Sequence, residues 1–537
     1  MPNKPLLMLF ISLTTFPSFG QWTSDPSVNT RVCTDTNLQT APAISDDGAG
    51  GAIISWADAR YDGSIFAQRL NSSGVPQWTA AGVAIDTNTF PGAGPSMVSD
   101  GEGGAILVYS ERDFAIPLLE TTDVYAQRIS SSGQLLWPPT GVPICVMSNG
   151  QSGYQIVSDG AGGAIMSWLD GRQSTQSCIY VQRISSGGSL QWTPNGVQVH
   201  ETPAGGLGYK IVGDGSGGVV VIWGDIRNGL SAGATLYAQR INGGGVPMWQ
   251  ANGVHVNDSY AVRPAAASDG TGGAIIAWQN IFRRVLTQRI NGSGQVLWDA
   301  NGVQIGRATR NTDLILGTQD GNGGAIFAWS DDWAFPGSVY VQRVDSSGAL
   351  QWATNGIQIS AGPNQQEVYS MLKDGAGGAI LAWHDYPNSV GSDYDIFVQH
   401  VNASGVVQWK TNGLPIATAT NRQWLPVISL GQSGDSIYAW EDYRDGGSAP
   451  KIYAQRVTKT GGTASQPQII SARILAEGFQ LNWTAEPSVN YVIEARESVI
   501  TGNWQQVVAS LTSTGSVATA TISQQGFASR FFRIKKE

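Results

Sequence analysis

A chain of 537 residues with 68 glycines, 19 tryptophans and only 13% charged residues is long enough for several domains or one large repeat array. Its 41% hydrophobic content supplies a core and argues against disorder, and glycines that follow no three-residue period exclude collagen. With 31 basic and 40 acidic residues the net charge is -9, which sets nucleic acid and anionic membranes aside as partners.

The first twenty residues carry Lys4, an apolar stretch between Leu6 and Phe16, and a short end at Ser18, Phe19 and Gly20. That is the layout of a secretory signal peptide cut near Gly20, too short for a membrane span. The mature protein is therefore expected to be secreted, or to lie at the cell surface or in the periplasm, with no membrane span. Only Cys33, Cys145 and Cys178 are present, too few for a disulfide scaffold, and they read as buried thiols.

From residue 47 onward one four-part phrase recurs eight times. It opens with Asp-Gly-x-Gly-Gly, starting at Asp47, Asp100, Asp159, Asp214, Asp269, Asp320 and Asp374, with a worn copy at Gly431 to Asp435. An apolar run follows, ending at Trp56, Tyr109, Trp168, Trp223, Trp278, Trp329, Trp383 or Trp440. Next comes a strand bearing Gln68, Gln127, Gln182, Gln239, Gln288, Gln342, Gln399 or Gln455, usually with Arg behind it. The last part, Gly-x-x-x-Trp then Gly-Val-x-Ile, has Trp78, Trp137, Trp192, Trp249, Trp298, Trp352 or Trp409.

Short β-branched and aromatic runs bounded by glycine turns read as strands, one for each part of the phrase. Four hairpin-linked strands make a propeller blade, so the fold class is all-β, an eight-bladed β-propeller over residues 21–463. The fourth part is missing after Gln455 and reappears at the N-terminus as Trp22 and Thr30-Arg31-Val32. An N-terminal strand that completes the last blade leaves the ring with no open edge. The repeated aromatics are expected to be packing between blades, and the Gln-Arg pair to serve backbone or carboxylate partners.

Spacing locates the variable face. The step from the second-strand aromatic to Gln runs 12, 18, 14, 16, 10, 13, 16 and 15 residues, whereas the Gln-to-Trp step is ten in each of the seven intact copies. Loops between strands two and three all emerge on one side of a ring, and such loops carry binding. Two residues beyond each aromatic lies Asp58, Glu111, Asp170, Asp225, Asn280, Asp331, Asp385 or Asp442. These are expected to cap their loops or pair with nearby arginines such as Arg60 and Arg444. The non-repeating residues Trp333, Phe335, Tyr386 and Tyr394, with Asp332 and Asp393, are the candidate ligand-binding set. No catalytic residue, metal-ligand spacing or phosphate-cradling loop emerges, so no cofactor is expected and a bound cation has no supporting motif.

After Thr463 the repeat stops, and residues 464–537 alternate as strands of a small β-sandwich. Leu481-x-Trp483, Tyr491-x-Ile493-Glu494 and the terminal Phe531-Phe532-Arg533-Ile534 resemble fibronectin type III-like modules at the ends of exported proteins, which implies a spacer or anchor. In the ring, phrases such as Gly294-Gln295-Val296-Leu297-Trp298 resemble the tryptophan-docking repeats of quinoprotein-like eight-bladed propellers, in architecture only. That family includes dehydrogenases and non-catalytic assembly proteins, and no vicinal cysteine pair of the quinone-binding kind is present here. The expectation is an exported, non-catalytic binding or surface-interaction protein with a glycan or protein ligand. The alternatives are a carbohydrate-active hydrolase or lyase using loop carboxylates and a quinone-dependent oxidoreductase.

Overall fold

The computed structural model describes residues 22–536 apart from 90–93, 114–120, 173–176, 202–207, 228–233, 309–313, 332–336, 387–392, 432–433, 447, 464–468, 476–477, 485–489, 497–504, 513–516 and 524–530. The expected signal peptide and the loop residues Asp332, Trp333 and Phe335 lie outside the described residues. Two compact units are present, residues 24–464 and the remainder, and each is described by itself.

The first unit consists of eight four-stranded antiparallel sheets. Blade one is Gln39–Asp46, Ala52–Asp58, Ser64–Leu70 and Val83–Asp86, hydrogen-bonded in that order. The first strands of consecutive blades pack against each other all round, blade eight's against blade one's included, so the ring is closed with those strands innermost. Blade eight takes Gln423–Leu430, Ser436–Asp442 and Lys451–Val457 from the end of the repeats and Thr30–Arg31 from the N-terminus. The seam is a short ladder, Thr30 opposite Ala454 and Arg31 opposite Tyr453, and the Val32 amide donates to the Ile452 carbonyl at 3.0 Å. Residues just before it are held too: Asn29 Nδ2 donates to the Ile416 carbonyl at 2.7 Å, and Arg444 Nη1 donates to the carbonyl oxygens of Ser27 and Val28.

Two parts of the phrase prove to be connections rather than strands. Asp-Gly-x-Gly-Gly is the turn between strands one and two, and the first strand lies upstream of it. Asp47 Oδ1 accepts the amides of Ala49 and Gly51 at 2.8 and 2.7 Å, Gly48 takes φ 66°, and Asp47 Oδ2 pairs with Arg69 at 2.9 Å. In the fourth part the Gly-x-x-x-Trp stretch is a turn that makes a single isolated bridge to strand three, Pro76 opposite Leu70, and the residues after it form the fourth strand. Gly82 there sits beneath the Trp56 ring with φ 82°, where an added Cβ would lie 2.9 Å from the indole.

The Gln-Arg pair explains itself as a double staple. Gln68 donates to the Thr79 carbonyl at 2.7 Å and accepts the Trp78 amide at 3.1 Å, fixing the fourth part to its own blade. Arg69 Nη1 and Trp78 Nε1 both donate to the Ser131 carbonyl in the next blade's turn, at 3.0 and 3.1 Å. The same double bond recurs from Arg128 and Trp137 to Ser186. Across the seam Arg456 bonds the Ser72 carbonyl, joining blade eight to blade one. Where the sequence drifts the contact survives: His400 replaces the arginine on Asp374 at 2.9 Å, and Asp435 of the worn copy meets Arg456. The tryptophans closing the second strands, such as Trp56, Trp168 and Trp440, are fully buried between sheets, as packing residues should be. All three cysteines are buried thiols outside any disulfide.

The second unit contains two three-stranded antiparallel sheets. One runs Ile469–Leu475, Gly478–Thr484, Val517–Ser523, and the other Gln505–Thr512, Asn490–Arg496, Phe531–Lys536. Leu481 and Trp483, alternate residues of one strand, are buried, as is Ile493 of the other sheet. No described helix is long and apolar enough to cross a membrane.

Candidate functional site

The acids two residues past the strand aromatics fall into two groups. In blades one, three, four and eight they are scaffold. Asp58, Asp170, Asp225 and Asp442 accept the indole N–H of Trp56, Trp168, Trp223 and Trp440 at 2.8 to 3.0 Å. Each also binds the arginine two residues on, and that guanidinium lies 3.3 to 4.0 Å over Phe66, Tyr180, Tyr237 or Tyr453 of the third strand. This plug fills the slot between strands two and three. Blades two, five, six and seven carry no arginine at that position. In blades five to seven the indole N–H groups of Trp278, Trp329 and Trp383 find no acceptor among the described residues.

An aromatic cluster lies at the junction of unplugged blade seven and plugged blade eight. Blade seven comprises Gln365–Lys373, Ala379–Tyr386, Asp395–Val401 and Leu414–Ala417. Its first strand bulges between Val368 and Ser370, which takes Tyr369 out of the ladder and sets its ring 4.3 Å from His384 and 5.7 Å from Trp424. Trp424, on the first strand of blade eight, stacks 4.6 Å from His384 and lies 5.4 Å from Tyr394, whose ring is 4.9 Å from Tyr386. Arg422 completes the surface, 5.0 Å over Trp424 and 4.2 Å over Tyr443. Tyr369, Tyr386, Tyr394 and Trp424 all remain partly exposed.

Hydrogen bonds make this surface rigid. The Gln423 amide donates to the Tyr394 carbonyl at 2.8 Å. His384 Nε2 accepts the Leu425 amide at 3.0 Å, where Leu425 is held at φ 54° by a bulge. That bond puts the ring proton on Nδ1 and keeps the imidazole neutral. Burial, with the Arg422 charge adding to it, pushes the His384 pKa down to about 3. His384 is thus a wall of the cluster.

Carboxylates flank the aromatic rings. Asp385 is satisfied by the amides of Gln366, at 2.8 Å, and Asn364. Asp395 stands directly opposite it in the ladder, and burial together with the charges of Asp393 and Asp385 lifts its pKa to about 7. A similar like-charge pair occurs in blade two, where burial and the neighbours Asp86 and Asp123 push Glu111 up to about 8. No group of residues able to hold a metal ion occurs among the described residues.

Of the candidates read from sequence, Tyr386 and Tyr394 do come together, and Asp393 is exposed beside them. The cluster also contains Tyr369, His384 and Trp424, which sequence reasoning missed. Tyr369 and Trp424 sit on inner strands and not on the variable loops. For Trp424 the signal available was its break from Thr40 and Val262 at the equivalent first-strand position; Tyr369 gave none, because Tyr154 and Tyr209 stand at the same place in blades three and four.

No protein-family model and no curated protein matches the chain. Among solved structures, the BP39L lectin from Burkholderia pseudomallei is similar at 13% identity over 71% of this chain and 100% of that one, with a TM-score of 0.44. A polysaccharide lyase described as a PL25 ulvan lyase is similar at 11% identity over 81% and 97%, with a TM-score of 0.42. The SapL1 lectin, solved with alpha methyl fucoside, is similar at 11% identity over 59% and 96%, with a TM-score of 0.33.

Proposed function

We propose that this is an exported glycan-binding propeller, non-catalytic, whose site is the aromatic cluster of blades seven and eight. The observation that carries the reading is the partly exposed group of Tyr386, Tyr394 and Trp424, held by backbone hydrogen bonds where blade seven lacks the arginine that plugs the slot in blades one, three, four and eight. Rigid aromatic faces match the apolar faces of pyranose rings, and Arg422 and Asp393 supply polar partners for hydroxyls. The C-terminal unit serves as a spacer or surface anchor.

The test is a glycan array on the full-length protein followed by titration of the best binder. Trp424→Ala and Tyr394→Ala are expected to weaken binding by about 1–3 kcal/mol each. Unchanged affinity in both variants, with folding intact, overturns the assignment.

One observation favours a second reading, a carbohydrate-active hydrolase or lyase. Asp395, with its pKa at about 7, retains a proton near neutrality beside these aromatics, as a general acid must. Incubation of each bound glycan with the protein and with Asp395→Asn, followed by product analysis, decides between them: products formed by the wild type and lost in the variant establish catalysis.

A further inference from the structure

The plugged slots show what a guanidinium laid on an aromatic face takes up in this fold. Their arginines lie 3.3 to 4.0 Å over a ring of the third strand, and each turns its edge on a buried carboxylate at 2.5 to 2.8 Å. In blade one Nε and Nη2 of Arg60 donate to the two oxygens of Asp58, both at 2.8 Å. The ring holds the flat face of the cation and leaves its N–H groups in the plane, where a carboxylate meets them two at a time.

Arg422 in the aromatic cluster has the same stacking but no acid at its edge. Its guanidinium lies 4.2 Å over Tyr443 and 5.0 Å over Trp424, and its backbone carbonyl accepts the Tyr443 amide at 2.9 Å, which fixes the stack. It forms no ion pair among the described residues, and its Nε finds no acceptor there. The acid whose charge reaches it, Glu441, is buried and already engaged. Its two oxygens accept the Ala41 amide at 2.7 Å and the Tyr443 hydroxyl at 3.1 Å, and burial raises its pKa. Asp385 is taken up by Gln366 and Asn364. Residues 387–392, outside the described residues, include no acid.

We propose that the aromatic cluster takes an acidic sugar, a uronic acid residue. Its carboxylate meets Arg422 edge-on, as Asp meets the arginine in the plugged slots, and its ring lies on Trp424 and Tyr394. This assignment rests on the glycan reading of the cluster and narrows it to a substrate class. A guanidinium fork held flat by two rings matches a planar carboxylate in two parallel charge-assisted bonds, about twice as strong as those to a neutral hydroxyl. Asp385, Asp393 and Asp395 adjoin Tyr386 and Tyr394 in the chain, whereas Arg422 lies on Trp424 and Tyr443, so repulsion by the acids directs the sugar's carboxylate to the arginine.

The full-length wild type, Arg422→Gln, Arg422→Lys and Tyr394→Ala are titrated with glucuronosyl-galactose and galacturonosyl-rhamnose, each as the free acid and as its methyl ester, and with a galactose disaccharide carrying one sulfate. The ester removes the charge and keeps the sugar. The wild type is expected to bind at least one acid about tenfold or more tighter than its ester, a ratio that falls when salt is raised from about 50 to 500 mM. Arg422→Gln should bring the acid down to the affinity of the ester. Arg422→Lys should recover only part of the ratio, because an ammonium lacks the planar fork. Tyr394→Ala should weaken acid and ester alike and keep their ratio. Equal wild-type affinity for acid and ester, an undiminished ratio in Arg422→Gln or in Arg422→Lys, or tighter binding of the sulfated disaccharide than of either acid overturns the proposal. Equal binding of acid and ester that is lost in Tyr394→Ala removes the uronate and leaves the glycan reading standing. No binding of any of these disaccharides at about 10 mM also overturns the uronate, and the glycan reading then stands or falls on the array.

Discussion

His384 shows how a single side chain carries both architecture and pH response. It occupies the position after the strand tryptophan, from which Ser330 and Glu441 likewise accept an amide of the next blade's first strand, those of Val368 and Ala41 at 2.8 and 2.7 Å. Its burial holds the folded pKa at about 3 against an ordinary value of 6.5. Between those values the unfolded chain takes up a proton that the folded ring refuses. Stability therefore falls as pH drops below about 6.5, and above that value this residue adds nothing to the slope. His384→Gln keeps an acceptor without the titration. Thermal melts at about pH 7.5, 5.5 and 4 are expected to show a shallower acid loss in the variant than in the wild type. Equal slopes would place the acid sensitivity elsewhere. Asp395 shifts the opposite way: burial and the charges of Asp393 and Asp385 raise its folded pKa to about 7 from an ordinary 3.8, so its contribution to stability is full below about 3.8 and is lost as pH rises from there to about 7. Asp395→Asn should accordingly melt higher than the wild type above that pH.

The plugged slot is the element in which sequence and energetics meet most directly. Asp170 is fully buried, and its pKa is lowered: burial alone would raise it, but the Arg172 side chain, the Trp168 indole and the Arg172 amide outweigh that cost. Arg172→Ala leaves the carboxylate without its cation, and the expected loss is about 3 kcal/mol, read by denaturant titration. The same change at exposed Arg284, which makes no such bond, should cost almost nothing. Such slots were legible in the sequence because Trp-x-Asp-x-Arg lies within five residues, and the hairpins were legible because Asp-Gly-x-Gly-Gly meets its own backbone. The aromatic cluster was only half legible. Tyr386 and Tyr394 belong to one variable loop and its flanks, but Trp424 is thirty residues beyond Tyr394 and reaches it only through blade packing. Tyr369 depends on a bulge, and a bulge changes which face a residue occupies without leaving a mark in the alternation of the strand.

At the scale of the whole ring the seam is the point of weakness. Removing residues 21 to 36 takes away the Thr30–Arg31 strand and the contacts of Ser27, Val28 and Asn29, and exposes the edge of Lys451–Val457. The truncated protein is expected to lose several kcal/mol of stability, visible as a lower melting temperature. Melting at the wild-type temperature would mean that blade eight stands without its fourth strand. The seam joins residue 30 to residue 454, positions 424 apart, the first strand of the chain to one of the last in the ring. A ribosome makes that strand before any of the blades and its partner after seven of them. Blades one to seven draw on contiguous segments and can fold as they emerge, while the closing strand waits unpaired through the whole of their synthesis. What finally brings it home is not a search by a long flexible loop but the arc of seven finished blades, each turning the chain by about 45°. Any error in that angle is repeated at every blade and accumulates at one place, so the meeting of Arg31 with Tyr453 amounts to an inspection of the ring that precedes it.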